Sequence, residues 1–332
     1  MTAPLIDGHG RIHRDLRISL TDRCSLRCTY CMPADGVPWL QSATLLTTDE
    51  LVRIARVAVE QGVTEIRLTG GEPLLRPDIV DVTARMAGLH GPSGHPEVSL
   101  TTNALRLASL AAPLRDAGLE RVNISLDTLR RDRFLDLTRR DRLHDALAGI
   151  SAAVAVGFSP IKLNAVAMRG VNEDELVDLT LFAAERGLEM RFIEHMPLDA
   201  GHTWDRSTMV TSQEILAALG SAMTLEELPG RGASPAQAYL IDGGPATVGV
   251  IASVTRPFCG ACDRIRLTAD GQLRACLFAR QESDLRSLVR DGADDNDLAR
   301  AIRACLALKQ PGHGIDDPSF LQPDRPMSAI GG

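Results

Sequence analysis

Short runs of β-branched and apolar residues recur through the first two hundred positions. They are Leu16–Leu20 (LRISL), Glu65–Thr69 (EIRLT), Glu97–Thr101 (EVSLT), Arg121–Leu126 (RVNISL), Ile161–Val166 (IKLNAV) and Glu189–Ile193 (EMRFI). Between most of them the apolar positions return with helical spacing. In Asp49–Gln61, Leu51, Ile54, Ala55, Ala58 and Val59 share one face, Thr48 stands at the capping position and Gly62 ends the run. Leu105–Ala117, Arg142–Val156 and Asn172–Arg186 follow the same rule, each with a glycine just beyond its end. Strands and helices alternating at about 30-residue spacing predict parallel strands joined by right-handed crossovers. Six such units predict an α/β fold, a partial (βα)6 TIM-like barrel rather than a closed eightfold one. The chemistry is then expected at the C-terminal ends of the strands.

The pattern changes near residue 200, which divides the chain into a barrel (1–200) and a C-terminal extension (201–332). Gly201–Met209 and Pro229–Pro235 are loop-rich, and strand-like runs follow at Ala238–Ile241 and Ala246–Ile251. Arg264–Leu267 and Gln272–Arg274 predict a hairpin about Asp270–Gly271, and Ser283–Val289 and Asp297–Leu308 predict helices. The tail from Pro311 onward is rich in Pro and Gly and predicts irregular chain.

Composition narrows the class. The chain has 332 residues, 36 Lys+Arg against 43 Asp+Glu for a net charge of −7, with 44% hydrophobic and 24% charged residues. Those fractions exclude disordered and collagen-like classes, and an acidic chain is a poor nonspecific nucleic-acid binder. The longest uncharged stretch, Ala146–Ile161, is too short and too interrupted by Gly, Ser and Pro to cross a bilayer. The first residues lack an apolar signal run, so a cytoplasmic, membrane-free protein is expected. A reducing compartment argues against disulfides, yet six of the seven cysteines fall into two groups of three.

Cys24, Cys28 and Cys31 form C-x3-C-x2-C just after the first strand. Three thiolates on one loop suit iron–sulfur or zinc chemistry. A structural zinc site needs a fourth ligand, and no nearby His or Cys supplies one. A four-iron cluster would instead keep one iron open. Cys259, Cys262 and Cys276 (C-x2-C-x13-C) repeat the problem across the predicted hairpin, where a zinc ribbon with a remote ligand is the alternative. Cys305 lies on the apolar stripe of a helical run and reads as a buried thiol. Arg264 and Arg266 share one face of their strand, and such a pair repels unless an anion or solvent separates it. Arg17, Arg67 and Lys162 likewise put charge on otherwise apolar strands, which is costly without a partner.

The first cysteine motif, with Tyr30 before its last cysteine, resembles the signature of radical S-adenosylmethionine enzymes. That resemblance implies a 4Fe-4S cluster whose open iron is chelated by S-adenosylmethionine, from which an electron liberates a 5′-deoxyadenosyl radical. It further assigns Tyr30, Gly71 of the turn Gly70-Gly71-Glu72-Pro73, Ser125 and Met196 to this cofactor. On their own these residues read as a plain turn, a strand-end hydroxyl and a core thioether.

The second cysteine group, the run C-x2-C-x-R-x-R-x-T and the terminal Gly-Gly resemble one family within that class, the GTP 3′,8-cyclases of molybdenum cofactor biosynthesis. The motifs LRISLTDRCSLRCTYCMP, IRLTGGEPLLR, VNISLD, IKLNAV, FIEHMP and MSAIGG fall in order along the whole chain. The resemblance implies conversion of GTP to (8S)-3′,8-cyclo-7,8-dihydroguanosine 5′-triphosphate, with a second 4Fe-4S cluster holding the guanine. It assigns Arg17, Arg67, Thr101, Lys162 and Arg264–Ile265–Arg266 to GTP. The resemblance further implies that Arg17, Arg264, Arg266, Gly331 and Gly332 take part in catalysis. It also implies a flavodoxin- or ferredoxin-type reductant, cyclic pyranopterin monophosphate synthase as the next enzyme, and a monomer or homodimer. Ala104 stands where the family usually has Gly, and His90–Pro96 reads as an exterior loop extension. A peptide-modifying radical enzyme, an iron–sulfur carrier and a zinc-stabilised binding module are the rival readings.

Overall fold

The computed structural model describes residues 4–317 and 320–331. The barrel units are β1 (Asp15–Ser19), α1 (Thr48–Glu60), β2 (Glu65–Thr69), α2 (Ile79–Ala87), β3 (Glu97–Thr102) and α3 (Leu107–Asp116). They continue through β4 (Arg121–Ser125), α4 (Arg131–Thr138), α5 (Leu143–Ala155), β5 (Ile161–Ala167), α6 (Leu176–Ala184) and β6 (Glu189–Glu194). The C-terminal part adds α7 (Ser212–Gly220), β7 (Leu225–Glu227), β8 (Gln237–Ile241), β9 (Thr247–Ile251), β10 (Arg264–Leu267) and β11 (Gln272–Arg274). It ends with β12 (Ser283–Asp284), α8 (Leu285–Arg290), α9 (Asp295–Ala307) and α10 (Met327–Ile330).

All strands join one open sheet in the order β12-β11-β10-β1-β2-β3-β4-β5-β6-β9-β8-β7. The six predicted strands are its parallel centre. The sequence pattern did not show that β10 pairs parallel with β1 and β9 parallel with β6. Both C-terminal strands thereby cover edges that would otherwise expose a row of unpaired backbone groups. Antiparallel hairpins then finish each end of the sheet.

Strand alternation sorts the side chains into two faces. On β5, Ile161, Leu163, Ala165 and Ala167 are buried towards the helices, while Lys162, Asn164 and Val166 are only partly covered on the concave face. β6 repeats this with Met190 and Phe192 buried and Glu189, Arg191 and Ile193 on the other side. The helices close the outer face into one continuous apolar core. α1 opens with a capping box in which Thr47, not Thr48, accepts from the Glu50 N–H; Thr48 is the first helical residue. The short helices α2, α4 and α7 and the tail helix α10 escape the periodicity argument. α4 offers few apolar positions in RDRFLDLT, and α10 spans a single turn inside a Pro-rich segment.

Behind the end of β3 the chain turns through Ala104, fully buried with φ of 63°, a left-handed conformation that a Cβ disfavours. α5 passes directly over this turn. A Cβ on Gly149 would overlap the Ala104 carbonyl oxygen and stand 2.9 Å from the Ala104 Cβ. Gly149→Ala should therefore lower the unfolding free energy by about 1–3 kcal/mol through overpacking, although Ala is the better helix former. Denaturant unfolding of the two proteins checks this, and equal or greater stability of the variant would contradict the packing described.

Candidate active site

The first cysteine group sits on the loop after β1, which is fastened on three sides. The C-terminal carbonyls of α4, which a helix leaves without internal partners, accept from the loop: Thr138 O from Arg27 N and Leu137 O from Thr29 N, both at 2.9 Å. Arg139, just past that helix, donates to the carbonyls of Arg27 and Met32 at 2.7 and 3.0 Å. On the opposite side the Gly-Gly-Glu turn after β2 zips onto the loop, with Gly71 N to Thr21 O at 2.7 Å and Glu72 N to Arg23 O at 2.8 Å. A Cβ on Gly70 would lie 2.5 Å from the Thr21 oxygen, so this approach requires glycine.

Glu72 is buried and holds the next strand end. Its carboxylate accepts from Leu74 N (3.0 Å), the Thr102 hydroxyl (2.7 Å) and Asn103 N (2.7 Å). Asn103 in turn directs its amide at Ser25 Oγ (3.0 Å) and Cys24 Sγ (3.8 Å). Tyr30 donates its hydroxyl to Asp127 at 2.8 Å, joining the loop to the end of β4. Burial pushes the Cys24 thiol up to about 11 and that of Cys31 up to about 12. Cys24, Cys28, Cys31, Tyr30, Gly71, Thr101 and Ser125 line one cavity of about 160 Å³.

The second group lines another cavity, of about 70 Å³, where Cys259, Cys262 and Cys276 meet Arg264, Arg266 and Met196. Met196, expected with the first group by resemblance, is thus placed beside the second. The surroundings of the two groups differ in charge. Burial works to raise the Cys262 thiol, but Arg264 and Lys309 outweigh it and hold the thiol below its usual value. All six cysteines are free thiols. Cys305 is free as well, and buried, with its thiol directed at the Leu273 carbonyl.

Between the cavities runs the concave face of the sheet. Register sets Asp15 beside Arg264, Arg17 beside both Arg266 and Arg67, Arg67 beside Ser99, and Asn123 beside Lys162. Lys162 lies beside Glu189, and Asn164 beside Arg191. Among the described residues, Arg17, Arg67, Arg121, Lys162, Arg191, Arg264 and Arg266 face only Asp15, Glu65, Glu97 and Glu189 on these strands. The pairing is loose where the predicted site residues stand: Arg17 and Arg67 lie 3.5 and 3.9 Å from Asp15, and Lys162 lies 3.9 Å from Glu189. Arg191 was not singled out in the sequence, though its place two residues after Glu189 in EMRFIE has the same alternation as Lys162.

Electrostatics report the crowding. Burial, then Arg67, press Arg17 down to about 9; burial, then Arg17 and Arg264, do the same to Arg266. Lys162 is lowered to about 8 by burial and Arg191. Burial favours a neutral Asp15, yet the surrounding Arg17, Arg67, Arg264 and Arg266 hold its carboxyl below the usual range. One Asp15 oxygen, the Asn123 amide nitrogen, the Asn164 amide oxygen and Arg264 Nε are buried there without hydrogen-bond partners. Such atoms are costly unless a ligand meets them.

The tail bridges the two cavities. Met327 and Ser328 line the first, and the Gly331 carbonyl accepts from Arg266 of the second. Gly331 has φ of 88°, and a Cβ there would lie 2.5 Å from the Thr69 hydroxyl. Gly332 lies outside the described residues.

Residues 18–183 match the family model of the Radical SAM superfamily, and residues 188–315 match Molybdenum Cofactor Synthesis C. Two crystal structures of Streptococcus suis SuiB share the fold at 17% identity. One, with S-adenosylmethionine bound, has a TM-score of 0.59 and covers 91% of this chain and 68% of that one. The other has a TM-score of 0.60 and covers 89% and 69%. The partial barrel with its three-cysteine loop is that of a radical S-adenosylmethionine enzyme. The GTP 3′,8-cyclase of Streptomyces coelicolor is 56% identical over 331 residues, 99% of this chain and 96% of the relative. GTP 3′,8-cyclase 2 of Mycobacterium tuberculosis is 52% identical over 337 residues, 100% and 93% of the two chains. The chain belongs to the GTP 3′,8-cyclase family.

The cofactors of that family are two 4Fe-4S clusters and S-adenosylmethionine. The donor sets fit them: each group offers three free thiols on one cavity wall, the number that leaves one iron of four open. No helix of the described residues is long and apolar enough to cross a membrane.

Glu72→Gln sets an amide N–H₂ against a backbone or hydroxyl donor. It should lower the unfolding free energy by about 1–3 kcal/mol and reduce iron bound at the first group while sparing the second. Unfolding curves with iron counts in variants lacking one cysteine group check this. Wild-type stability and iron would remove Glu72 from the support of the loop.

Proposed function

We propose that this chain converts GTP to (8S)-3′,8-cyclo-7,8-dihydroguanosine 5′-triphosphate, the first step of molybdenum cofactor biosynthesis, in the cytoplasm. The observation that carries this reading is the underpaired cationic wall between two three-cysteine cavities in a member of the GTP 3′,8-cyclase family. In this reading Cys24, Cys28 and Cys31 ligate the radical-generating cluster, and Tyr30, Gly71 and Ser125 serve S-adenosylmethionine. Cys259, Cys262 and Cys276 ligate the second cluster. When bound, the first cluster and S-adenosylmethionine supply a radical able to remove a ribose hydrogen.

The protein's own part is to bind and to orient. A triphosphate carries about four negative charges and requires concentrated cations. Arg17, Arg67, Lys162, Arg191, Arg264 and Arg266 supply them, with Thr101 as a hydroxyl contact and Ile265 as the strand residue that sets the arginine pair. The Asn123 and Asn164 amides, unpartnered in the wall, are polar groups that a bound nucleotide can satisfy. Arg266 also holds the Gly331 carbonyl, so the tail and the substrate share one guanidinium. Gly331 then enters the site without a side chain, and Arg17, Arg264 and Arg266 stand nearest the reacting nucleotide. Residues 1–200 form the radical-generating barrel, and 201–332 carry the second cluster and the Gly-Gly tail. A flavodoxin- or ferredoxin-type protein supplies electrons, cyclic pyranopterin monophosphate synthase takes the product, and the enzyme works as a monomer or homodimer.

Reconstituted protein incubated with reductant, S-adenosylmethionine and either GTP, ATP or a peptide tests this reading. Formation of 5′-deoxyadenosine is expected to depend on GTP, and equal turnover with ATP would contradict the substrate. Arg264→Ala and Arg266→Ala should each cost about 1.5–3 kcal/mol of transition-state binding, a ten- to hundredfold loss of GTP turnover, with iron content near wild type. Loss of iron in both variants would show that the arginines are structural.

A further inference from the structure

Lys309, two residues past the end of α9, lies 4% exposed against the wall that carries the second cysteine group. Its ammonium donates to the Arg264 carbonyl at 2.7 Å and to Cys262 Sγ at 3.6 Å, within reach of an N–H···S hydrogen bond. It shares a cavity of about 300 Å³ with Cys276, on the wall formed by the end of α9. No carboxylate among the described residues is paired with it. Buried ammonium groups are strongly disfavoured unless an opposite charge compensates them. Burial does lower the ammonium's affinity for its proton, and Cys262 and Cys276 are the groups that oppose this.

The neighbourhood is built to keep Lys309 there. Arg11 of the N-terminal arm donates to the Cys259 carbonyl at 2.7 Å and to the Gln310 and Pro311 carbonyls at 2.8 and 3.2 Å. Asp7 fixes Arg11 at 2.6 Å and the buried His13 at 2.9 Å. One arm thus ties the cysteine loop to the segment that follows α9. The first cysteine group has no counterpart to Lys309: the side-chain donor that reaches its sulfur is the neutral amide of Asn103.

We propose that Lys309 is a positioning residue that sets the reduction potential of the second cluster, acting through the Cys262 thiolate as a fixed positive hydrogen-bond donor. Each electron added to an iron–sulfur cluster makes the site more negative by one charge. A buried cation at a ligand sulfur therefore stabilises the reduced form and raises the potential. The two clusters, alike in ligand number, would then differ in potential because a buried ammonium reaches a ligand sulfur of the second group, whereas the first is met by a neutral amide and has the carboxylates of Glu72, Asp127 and Asp199 near its sulfurs. The proposal rests on the reading of Cys259, Cys262 and Cys276 as cluster ligands.

The test is a potentiometric titration followed by electron paramagnetic resonance. It uses the reconstituted holoenzyme and the Cys24→Ala/Cys28→Ala/Cys31→Ala protein, in which only the second cluster remains. Lys309→Met, which keeps length and burial but removes charge and donor, should move the second cluster to a lower potential. Lys309→Gln, a neutral donor, should give a smaller shift in the same direction. Iron content and the first cluster's potential should not change in either variant. An unchanged second potential in Lys309→Met with full iron would overturn the proposal and leave Lys309 as a support for the Arg264 carbonyl alone. Loss of the second cluster in both variants would overturn it as well, since Lys309 would then be structural. Absence of a second cluster from the wild-type protein would instead undo the ligand assignment on which the proposal rests.

Discussion

Positive charge without enough negative charge to match it is the constraint around which this barrel is arranged. Arg17, Arg67, Lys162, Arg191, Arg264 and Arg266 project from β1, β2, β5, β6 and β10 onto one concave face. Arg191 is paired with Glu189 at 2.6 Å, but Asp15 stands 3.5 and 3.9 Å from Arg17 and Arg67, and Glu189 stands 3.9 Å from Lys162, too long for good ion pairs. Such a face is unfavourable for folding alone and favourable for taking up a polyanion. The open sheet makes the arrangement possible. β10 pairs parallel with β1, so two arginines from the far end of the chain enter the same register as Arg17 and Arg67. A chain of net charge −7 therefore contains a local site of opposite sign.

The two cysteine groups stand at either side of this face and are held by different means. The first loop is fastened by the α4 carbonyls, the Arg139 guanidinium, the Gly-Gly-Glu turn and the Glu72–Asn103 relay, with no cation donating to a sulfur among the described residues. The second is fastened by cations: Arg11 on the Cys259 carbonyl and Lys309 on the Cys262 sulfur. Burial raises the thiols of the first group and that of Cys259 in the second, whereas Arg264 and Lys309 pull Cys262 down. The C-terminal tail connects them, because only a residue without a side chain can pass Thr69 to reach Arg266.

Much of this was legible in the sequence because the signals are periodic or sharply spaced. The six central strands read out from alternation, and both cysteine groups read out from spacing. The cations read out as charges on apolar strands. What escaped depends on tertiary pairing. Nothing local in Thr247–Ile251 or Arg264–Leu267 states that these strands pair parallel with β6 and β1. Lys309 looks like a polar residue at a helix end, and its role appears only once α9 packs against β11 and its end meets the second loop. Asp127 and Glu72 look like turn carboxylates until the loop they hold is in place. The Thr47 cap was misread by one residue because Thr47 and Thr48 are equivalent by composition, and only the capping-box partner Glu50 separates them.

If the concave face holds a polyphosphate, binding must depend on phosphate number and on salt. Calorimetric binding of guanosine, GMP and GTP to the reconstituted protein at several salt concentrations tests it most directly. Affinity is expected to rise with each phosphate, by on the order of a hundredfold from guanosine to GTP, and the gain to shrink as salt increases. Guanosine and GTP binding with equal affinity at every salt concentration would contradict it.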